Sequence, residues 1–146
     1  MKNLFISGIT GKVGKLLSSY ALESNHFKLV GGSCSPDNNF FGKDVGELLE
    51  IDEIGIQISE KMSEDLSVDI IIDFSSPKSS MKILQLAKIK EIPILIGTTG
   101  FSEDDFKEIE IASTQIPVLF APNTSSGIAI LKNILNKSKN LSLIHI

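Results

Sequence analysis

The chain is poor in the residues that most often carry redox, metal and acid–base chemistry. Of its 146 residues one is cysteine, Cys34, and two are histidine, His26 and His145. A lone thiol closes no internal disulfide, which fits a reducing cytosol and leads us to expect a cytoplasmic protein. One cysteine and two distant histidines also lack the spacing of a metal site. Positive charge is in deficit, with 14 Lys and Arg against 18 Asp and Glu for a net charge of −4. That balance disfavours nucleic acid or an anionic membrane as partner. No apolar run approaches the roughly 20 residues of a membrane span. Leu4-Phe5-Ile6 before Ser7-Gly8 is too short for a signal-peptide core and reads as a strand. There is no internal repeat and no low-complexity segment. What is left, 42% hydrophobic and 22% charged, is an ordinary globular balance for one domain with a core of its own.

Apolar periodicity alternates between strand and helix. Residues 3–7 hold the apolar core Leu4-Phe5-Ile6 and stop at Gly8, the mark of a buried strand. Val13, Leu16, Leu17, Tyr20 and Ala21 follow the spacing of a helix face. Phe27 to Gly32 reads as a second strand, 34–44 as a turn-rich loop, and Ile54 to Ile58 as a weak edge strand. Glu60, Lys61, Glu64 and Asp65 suit the solvated face of a helix. Asp69 to Phe74 is a strong buried strand, after which Ser76 as N-cap and Pro77 at the first helical position open a helix with Ile83, Leu84 and Ala87 inward. A fifth strand covers 92–96. Ser102 with Asp105 resembles a capping box, and Glu103, Asp104 and Asp105 suit the positive end of that helix. Pro117 to Ala121 is a sixth strand, and 126–139 a last helix through Ile128, Leu131, Ile134 and Leu135. The alternation predicts an α/β fold: a doubly wound, Rossmann-like parallel sheet with helices on both faces.

Two turns carry too much chemistry for connectors. Gly8-Ile9-Thr10-Gly11-Lys12-Val13-Gly14 lies between the first strand and first helix, where a dinucleotide pyrophosphate rests in such a fold. Gly8 allows the tight turn, Gly11 lets backbone approach the phosphates, and Gly14 lets helix pack on strand. The amides near Lys12 and Val13 point at the anion, and Lys12 adds a mobile charge. The implied cofactor is NADH or NADPH. An acidic residue normally ends the second strand and holds the ribose. Here Cys34 or Ser35 stands in that place, the first acid is Asp37, and no arginine follows, so both cofactors stay open. Cys34 itself reads as a small buried filler. The second turn, Gly97-Thr98-Thr99-Gly100, sits at a strand's carboxyl end, where open parallel sheets bind ligands. Asp73 reads as support for the turn after its strand, and His26 as a solvated connector residue. The same glycine spacing occurs in short-chain dehydrogenases and epimerases, which need a tyrosine with lysine four residues later. The only tyrosine, Tyr20, is followed there by Ser24.

Four segments together carry a family resemblance: Ile6 to Gly14, Asp69 to Pro77, Ile96 to Phe101, and Ala121-Pro122-Asn123-Thr124-Ser125-Ser126-Gly127. Over about residues 2–139 the chain resembles the N-terminal domain of the 4-hydroxy-tetrahydrodipicolinate reductase (dihydrodipicolinate reductase) family of lysine and diaminopimelate biosynthesis. The resemblance implies that Gly8, Ile9, Thr10, Gly11, Lys12 and Val13 cradle the cofactor phosphates. It implies that Gly97, Thr98 and Thr99 line the nicotinamide side, with Ala121, Pro122, Asn123 and Thr124 as the other wall. Lys12 stands where the family usually has Arg or Lys. Cys34 and Ser35 replace the acidic residue and arginine of many members, and Ser126 and Ala129 replace an apolar residue and Asn. In the family a reduced nicotinamide gives hydride to a cyclic unsaturated dicarboxylate, and water leaves the 4-hydroxy precursor. The members are usually tetrameric through a second, substrate domain. That domain brings a His-rich segment with a nearby Lys, then a Ser-Gly-Thr loop for the substrate carboxylates.

The sequence reading therefore expects a dinucleotide-binding domain at 1–140 without a substrate domain, able to bind cofactor but inactive alone. A stand-alone NAD(P)-binding module and the cofactor domain of another amino-acid-pathway dehydrogenase remain alternatives. His145 lacks the second histidine, following lysine and preceding acid that would make it catalytic. Leu141-Ser142-Leu143-Ile144-His145-Ile146 continues the helix pattern poorly and is one translation of a mosaic-end transposon adapter. We expect 141–146 to be a non-native tail. The encoding DNA should read CTG TCT CTT ATA CAC ATC over these residues, and other codons would overturn that origin.

Overall fold

The computed structural model describes residues 1–122 and the pair Ile144–His145. The predicted helix at 126–139 lies outside them, as do Asn123 and Thr124. Strand β1 (Lys2–Ser7) leads through helix α1 (Lys12–Glu23) to β2 (Phe27–Ser33). A four-residue helix α2 (Val45–Leu48) and a two-residue strand β3 (Ile58–Ser59) follow. Then come β4 (Ile70–Asp73), α3 (Pro77–Ile89), β5 (Ile94–Ile96), α4 (Glu103–Ser113), β6 (Val118–Phe120) and β7 (Ile144–His145). All pair in parallel in the order β3-β2-β1-β4-β5-β6-β7. The doubly wound sheet is thus present, and its direction of growth reverses between β1 and β4. Ile144–His145, part of the stretch set apart as a tail, adds its two residues beside β6.

The two-residue period of each strand divides the core into two layers. Leu4, Ile6, Ile70, Ile72, Leu95 and Leu119 face one side, where Leu17 and Ala21 of α1 cover them with Val45, Leu48 and Ile58. Phe5, Ile71, Ile94, Ile96 and Val118 face the other, under Ile83, Leu84 and Ala87 of α3 and Ile109 and Ala112 of α4. Burial on both faces explains why β1 and β4 read as unbroken apolar runs. Each such side chain contributes about 1.5–3 kcal/mol when fully buried, so the paired central strands anchor the domain. No helix among the described residues is long and apolar enough to cross a membrane.

Local signals hold at the helix starts. Ser76 accepts from Ser79 N–H ahead of Pro77, and Ser102 and Asp105 form the reciprocal capping box. The middle of the chain departs from expectation. The strand expected at Ile54 to Ile58 is reduced to Ile58–Ser59, because Ile54 N–H and Ile56 C=O are taken by the start of α2. Asp44 caps that helix, accepting from Gly46 N–H at 2.7 Å and Ile54 N–H at 2.9 Å. No helix forms around Glu60, Lys61, Glu64 and Asp65. These four are solvated, but Met62 between them is buried in the second layer and the chain turns at 64–65.

Glycine decides how closely α1 approaches β1. A Cβ on Gly14 would lie 2.4 Å from Gly8 O and 2.6 Å from Ile9 O, both rigid backbone atoms. Gly14→Ala should therefore destabilise the domain by about 1–3 kcal/mol, read from the urea midpoint, as overpacking does.

Candidate functional site

Four strands end level with one another. Phe74 N–H donates to Ser7 O at 3.0 Å, Gly97 N–H to Asp73 O at 2.8 Å, and Ala121 N–H to Ile96 O at 2.8 Å. The turns after β1, β4, β5 and β6 therefore leave from one edge of the sheet, beside its switch point, where α/β sheets bind ligands. Gly8, Ile9, Thr10 and Gly11 are in the first of these turns and Lys12 and Val13 open α1 directly after it, with Gly97, Thr98 and Thr99 in the third turn and Ala121 and Pro122 in the fourth.

The first turn is held from below. Gly8 N–H and Ile9 N–H both donate to Ser33 O, at 2.9 and 3.0 Å, and the Ile9 side chain is fully buried. Gly32 makes room for it, since a Cβ there would meet Ile9 Cδ1 at 2.3 Å. Gly8 takes φ +77, and a Cβ would fall 2.2 Å from Phe74 O. Gly11 differs from both. Its φ is −72, and the nearest atom to an added Cβ is Gly8 O at 3.4 Å. Nothing in the fold requires glycine at this position.

Gly11 is the N-cap of α1, so no side chain caps the helix, and its first turn holds no acid. The other described helices begin with Asp44, Ser76 or Ser102 as a bonded cap. Glycine in place of such a cap costs only a few tenths of a kcal/mol, about the least of any uncapped choice. It leaves the first amides and the positive helix end open toward an anion. Lys12 is exposed beside them. The loop after β2 folds back on this turn, with Asn38 Nδ2 donating to Thr10 Oγ1 at 3.2 Å. Phe40 in that loop carries the Lys15 and Lys43 ammonium groups at 5.3 and 5.6 Å from its ring centroid.

At the end of β2, Cys34 is half-buried against the first core layer rather than enclosed. Burial, and then the Asp37 carboxylate, push its thiol above the ordinary range. Ser35 Oγ donates to Asp37 Oδ1, and that bond holds the Asp37 carboxyl below its ordinary value. Asp37 is thus a fixed negative charge in the loop where the sequence lacks the usual acid.

The second turn is tied to the first through Phe74, which sequence reasoning did not single out as a site residue. Phe74 backbone abuts Gly8, and its ring fills the space where a Gly97 Cβ would stand, only 2.1 Å from Cε1. The signal was available, because the residue between a strand end and the Ser76-Pro77 helix start must lie at this edge. Thr98 is 5% exposed, and its hydroxyl is engaged inside the protein: it donates to Asp73 Oδ2 at 2.7 Å and accepts from Ser75 N–H at 2.9 Å. Thr99 is exposed, and Gly100 takes φ +89 before the Phe101–Phe106–Phe120 ring cluster. Ala121 is buried and Pro122 half-buried. Tyr20 and exposed His26 line an open cleft at the far end of the sheet, remote from all of these turns. Among the described residues no group of His, Cys, Asp and Glu could hold a metal ion.

Residues 2–124 match the family model described as dihydrodipicolinate reductase, N-terminus. The 4-hydroxy-tetrahydrodipicolinate reductase of Colwellia psychrerythraea is 35% identical over 130 residues, covering 89% of this chain and 48% of that protein. The one from Buchnera aphidicola subsp. Baizongia pistaciae is 31% identical over 140 residues, covering 95% and 52%. The chain spans about half the length of the curated relatives it matches. Among solved structures, a dipicolinate-bound dihydrodipicolinate reductase from Paenisporosarcina sp. superposes with a TM-score of 0.69 at 18% identity, over 90% of this chain and 51% of that one. An aspartate semialdehyde dehydrogenase with NADP from Candida albicans gives 0.61 at 13% identity, over 94% and 47%. At these identities both show a shared fold.

The Cys34 environment makes a direct test. Its raised thiol leaves less thiolate at a given pH, so iodoacetamide should label it more slowly at pH 8 than a free cysteine peptide, whose value is about 8.5. The rate–pH midpoint should lie above that value and fall only part of the way in Asp37→Asn, because burial is the larger cause.

Proposed function

The chain belongs to the dihydrodipicolinate reductase family, and we propose that it is the cofactor-binding part of a 4-hydroxy-tetrahydrodipicolinate reductase acting in lysine and diaminopimelate biosynthesis. The observation that carries this reading is Gly11: a glycine the fold does not need, at the one uncapped helix start among the described residues. A helix N-terminus without a side chain or acid in front of it suits a phosphate group. The site residues we propose are those that the family resemblance implies. Gly8, Ile9, Thr10, Gly11, Lys12 and Val13 hold the pyrophosphate. Gly97, Thr98 and Thr99 line the nicotinamide with Ala121 and Pro122 on its other side, and Asn123 and Thr124, outside the described residues, are assigned to that second group by the family resemblance alone. In this reading Thr98 contributes backbone, since its hydroxyl is engaged with Asp73 and Ser75.

The cofactor we propose is NADH or NADPH. Charges of both signs meet beside the loop past β2, Asp37 of the loop against a 2′-phosphate and Lys15 of α1 with Lys43 of the loop for one. When bound, the reduced nicotinamide supplies hydride. The chain's own contribution is to orient the dinucleotide between two turns that leave the same sheet edge, so that the donor carbon is presented in one direction. The dicarboxylate acceptor, its proton donor and the tetrameric contacts we assign to a substrate domain beyond residue 140, with 141–146 foreign to the native domain. We place the whole protein in the cytoplasm.

Titration of the 146-residue chain with NADH and NADPH, followed by nicotinamide fluorescence, tests the reading. Gly11→Ala should cost no more than about 1 kcal/mol of stability, the loss expected when alanine replaces glycine at an N-cap, while weakening binding about tenfold or more, since a methyl group would crowd the phosphate. Unchanged binding would overturn the reading. Reductase assays on the chain alone should give no turnover.

A further inference from the structure

Asp73 ends β4 with no exposed surface, and none of the ion pairs among the described residues includes it. A carboxylate buried without a cation is expensive unless its lone pairs are filled by hydrogen bonds. Here three hydroxyls fill them. Oδ1 accepts from Ser75 Oγ at 2.5 Å, and Oδ2 accepts from Thr98 Oγ1 at 2.7 Å and from Ser80 Oγ. Ser80 is itself fully buried, one turn inside α3. The three donors thus come from the turn after β4, the body of α3 and the turn after β5.

The chemistry of the hub sets a direction. An ionised carboxylate only accepts, so each hydroxyl must spend its proton on Asp73. Thr98 Oγ1 then has only lone pairs left, and one of them receives Ser75 N–H at 2.9 Å. An asparagine of the same shape would bring two N–H donors and oppose at least one of these hydroxyls. The polarity of the network therefore depends on charge, and hydroxyl bonds to a charged acceptor are about twice as strong as neutral ones. The Asp73 carbonyl adds a fourth tie by accepting Gly97 N–H at 2.8 Å. Gly97 and Thr98 are consequently locked by both the backbone and the side chain of one residue.

We infer that Asp73 is a positioning residue for the nicotinamide half of the site: through Thr98, Ser75 and Ser80 it fixes the Gly97–Thr99 turn in the orientation that receives the ring. This rests on the cofactor reading above. Its hub touches the second turn and leaves the first, with Gly11 and Lys12, to be held by Ser33 and the helix start.

The test separates the two halves of the ligand. NADH is titrated by its nicotinamide fluorescence and ADP by calorimetry, on the parent chain, Asp73→Asn and the milder Thr98→Val, with Thr98→Ser as the conservative control. Asp73→Asn and Thr98→Val should weaken NADH about tenfold and reduce its fluorescence change, with ADP affinity within about twofold of the parent. Thr98→Ser should restore NADH binding. Equal loss of NADH and ADP in Thr98→Val, or no loss of NADH, would overturn the inference and leave the cofactor reading standing. Should Asp73→Asn fail to fold, Thr98→Val with its serine control decides the matter. A parent chain that binds neither ligand would overturn the cofactor reading and this inference with it.

Discussion

The edge of the sheet beside its switch point depends on contacts so close that they leave no room for a Cβ. The Phe74 carbonyl lies where a Gly8 Cβ would be, the Gly8 carbonyl lies where a Gly14 Cβ would be, and the Phe74 ring occupies the corresponding space at Gly97. The two backbone contacts admit only glycine, and with the ring contact at Gly97 they pull β1, α1, β4 and the turn after β5 into one block. The hydrogen bonds from Phe74, Gly97 and Ala121 to the neighbouring strand ends extend that block across four strands. Close packing of this kind is stiff, because rigid backbone has no rotamer to yield. A shallow edge made of turns thereby acquires a defined shape.

Much of this was legible in the sequence. Strands buried on both faces announce themselves as apolar runs, so β1, β4 and β5 were readable, and Ser76-Pro77 and Ser102 with Asp105 marked helix starts by known cap chemistry. The segment from Ile54 to Met62 was not readable in the same way. Its alternation fits a strand, but Asp44 captures Ile54 N–H from ten residues away, and no local pattern reveals a cap that distant. Met62 shows the same limit. Its charged neighbours suggest a helix face, while one buried side chain fixes a turn. At the site, the glycine turns could be located from the sequence, whereas the commitment of the Thr98 hydroxyl to Asp73 needed three dimensions, since the two residues are 25 apart in the chain.

Charge is distributed unevenly around this frame. The protein is net negative, yet α1 begins without an acid while α4 begins with three, Glu103, Asp104 and Asp105. Both helices start at the same end of the sheet, so their positive ends differ in whether they are already neutralised. The dipole of α4 is satisfied within the protein and that of α1 is left open. Asp37 and Lys43 one loop away, with Lys15 on α1 itself, then set the local balance.

The glycines of the first turn answer to different masters. Gly8 and Gly14 are demanded by neighbouring backbone atoms, and Gly11 by nothing in the fold. Under descent with mutation the two kinds would part company once the site fell out of use. A lineage that kept the domain only as a scaffold would retain Gly8, Gly14 and Gly97 under pressure to fold, while position 11 would be free to drift to serine or aspartate and gain a cap. On the proposed cofactor reading, the residue at that single position is a record of use, readable in any descendant of this chain without an assay.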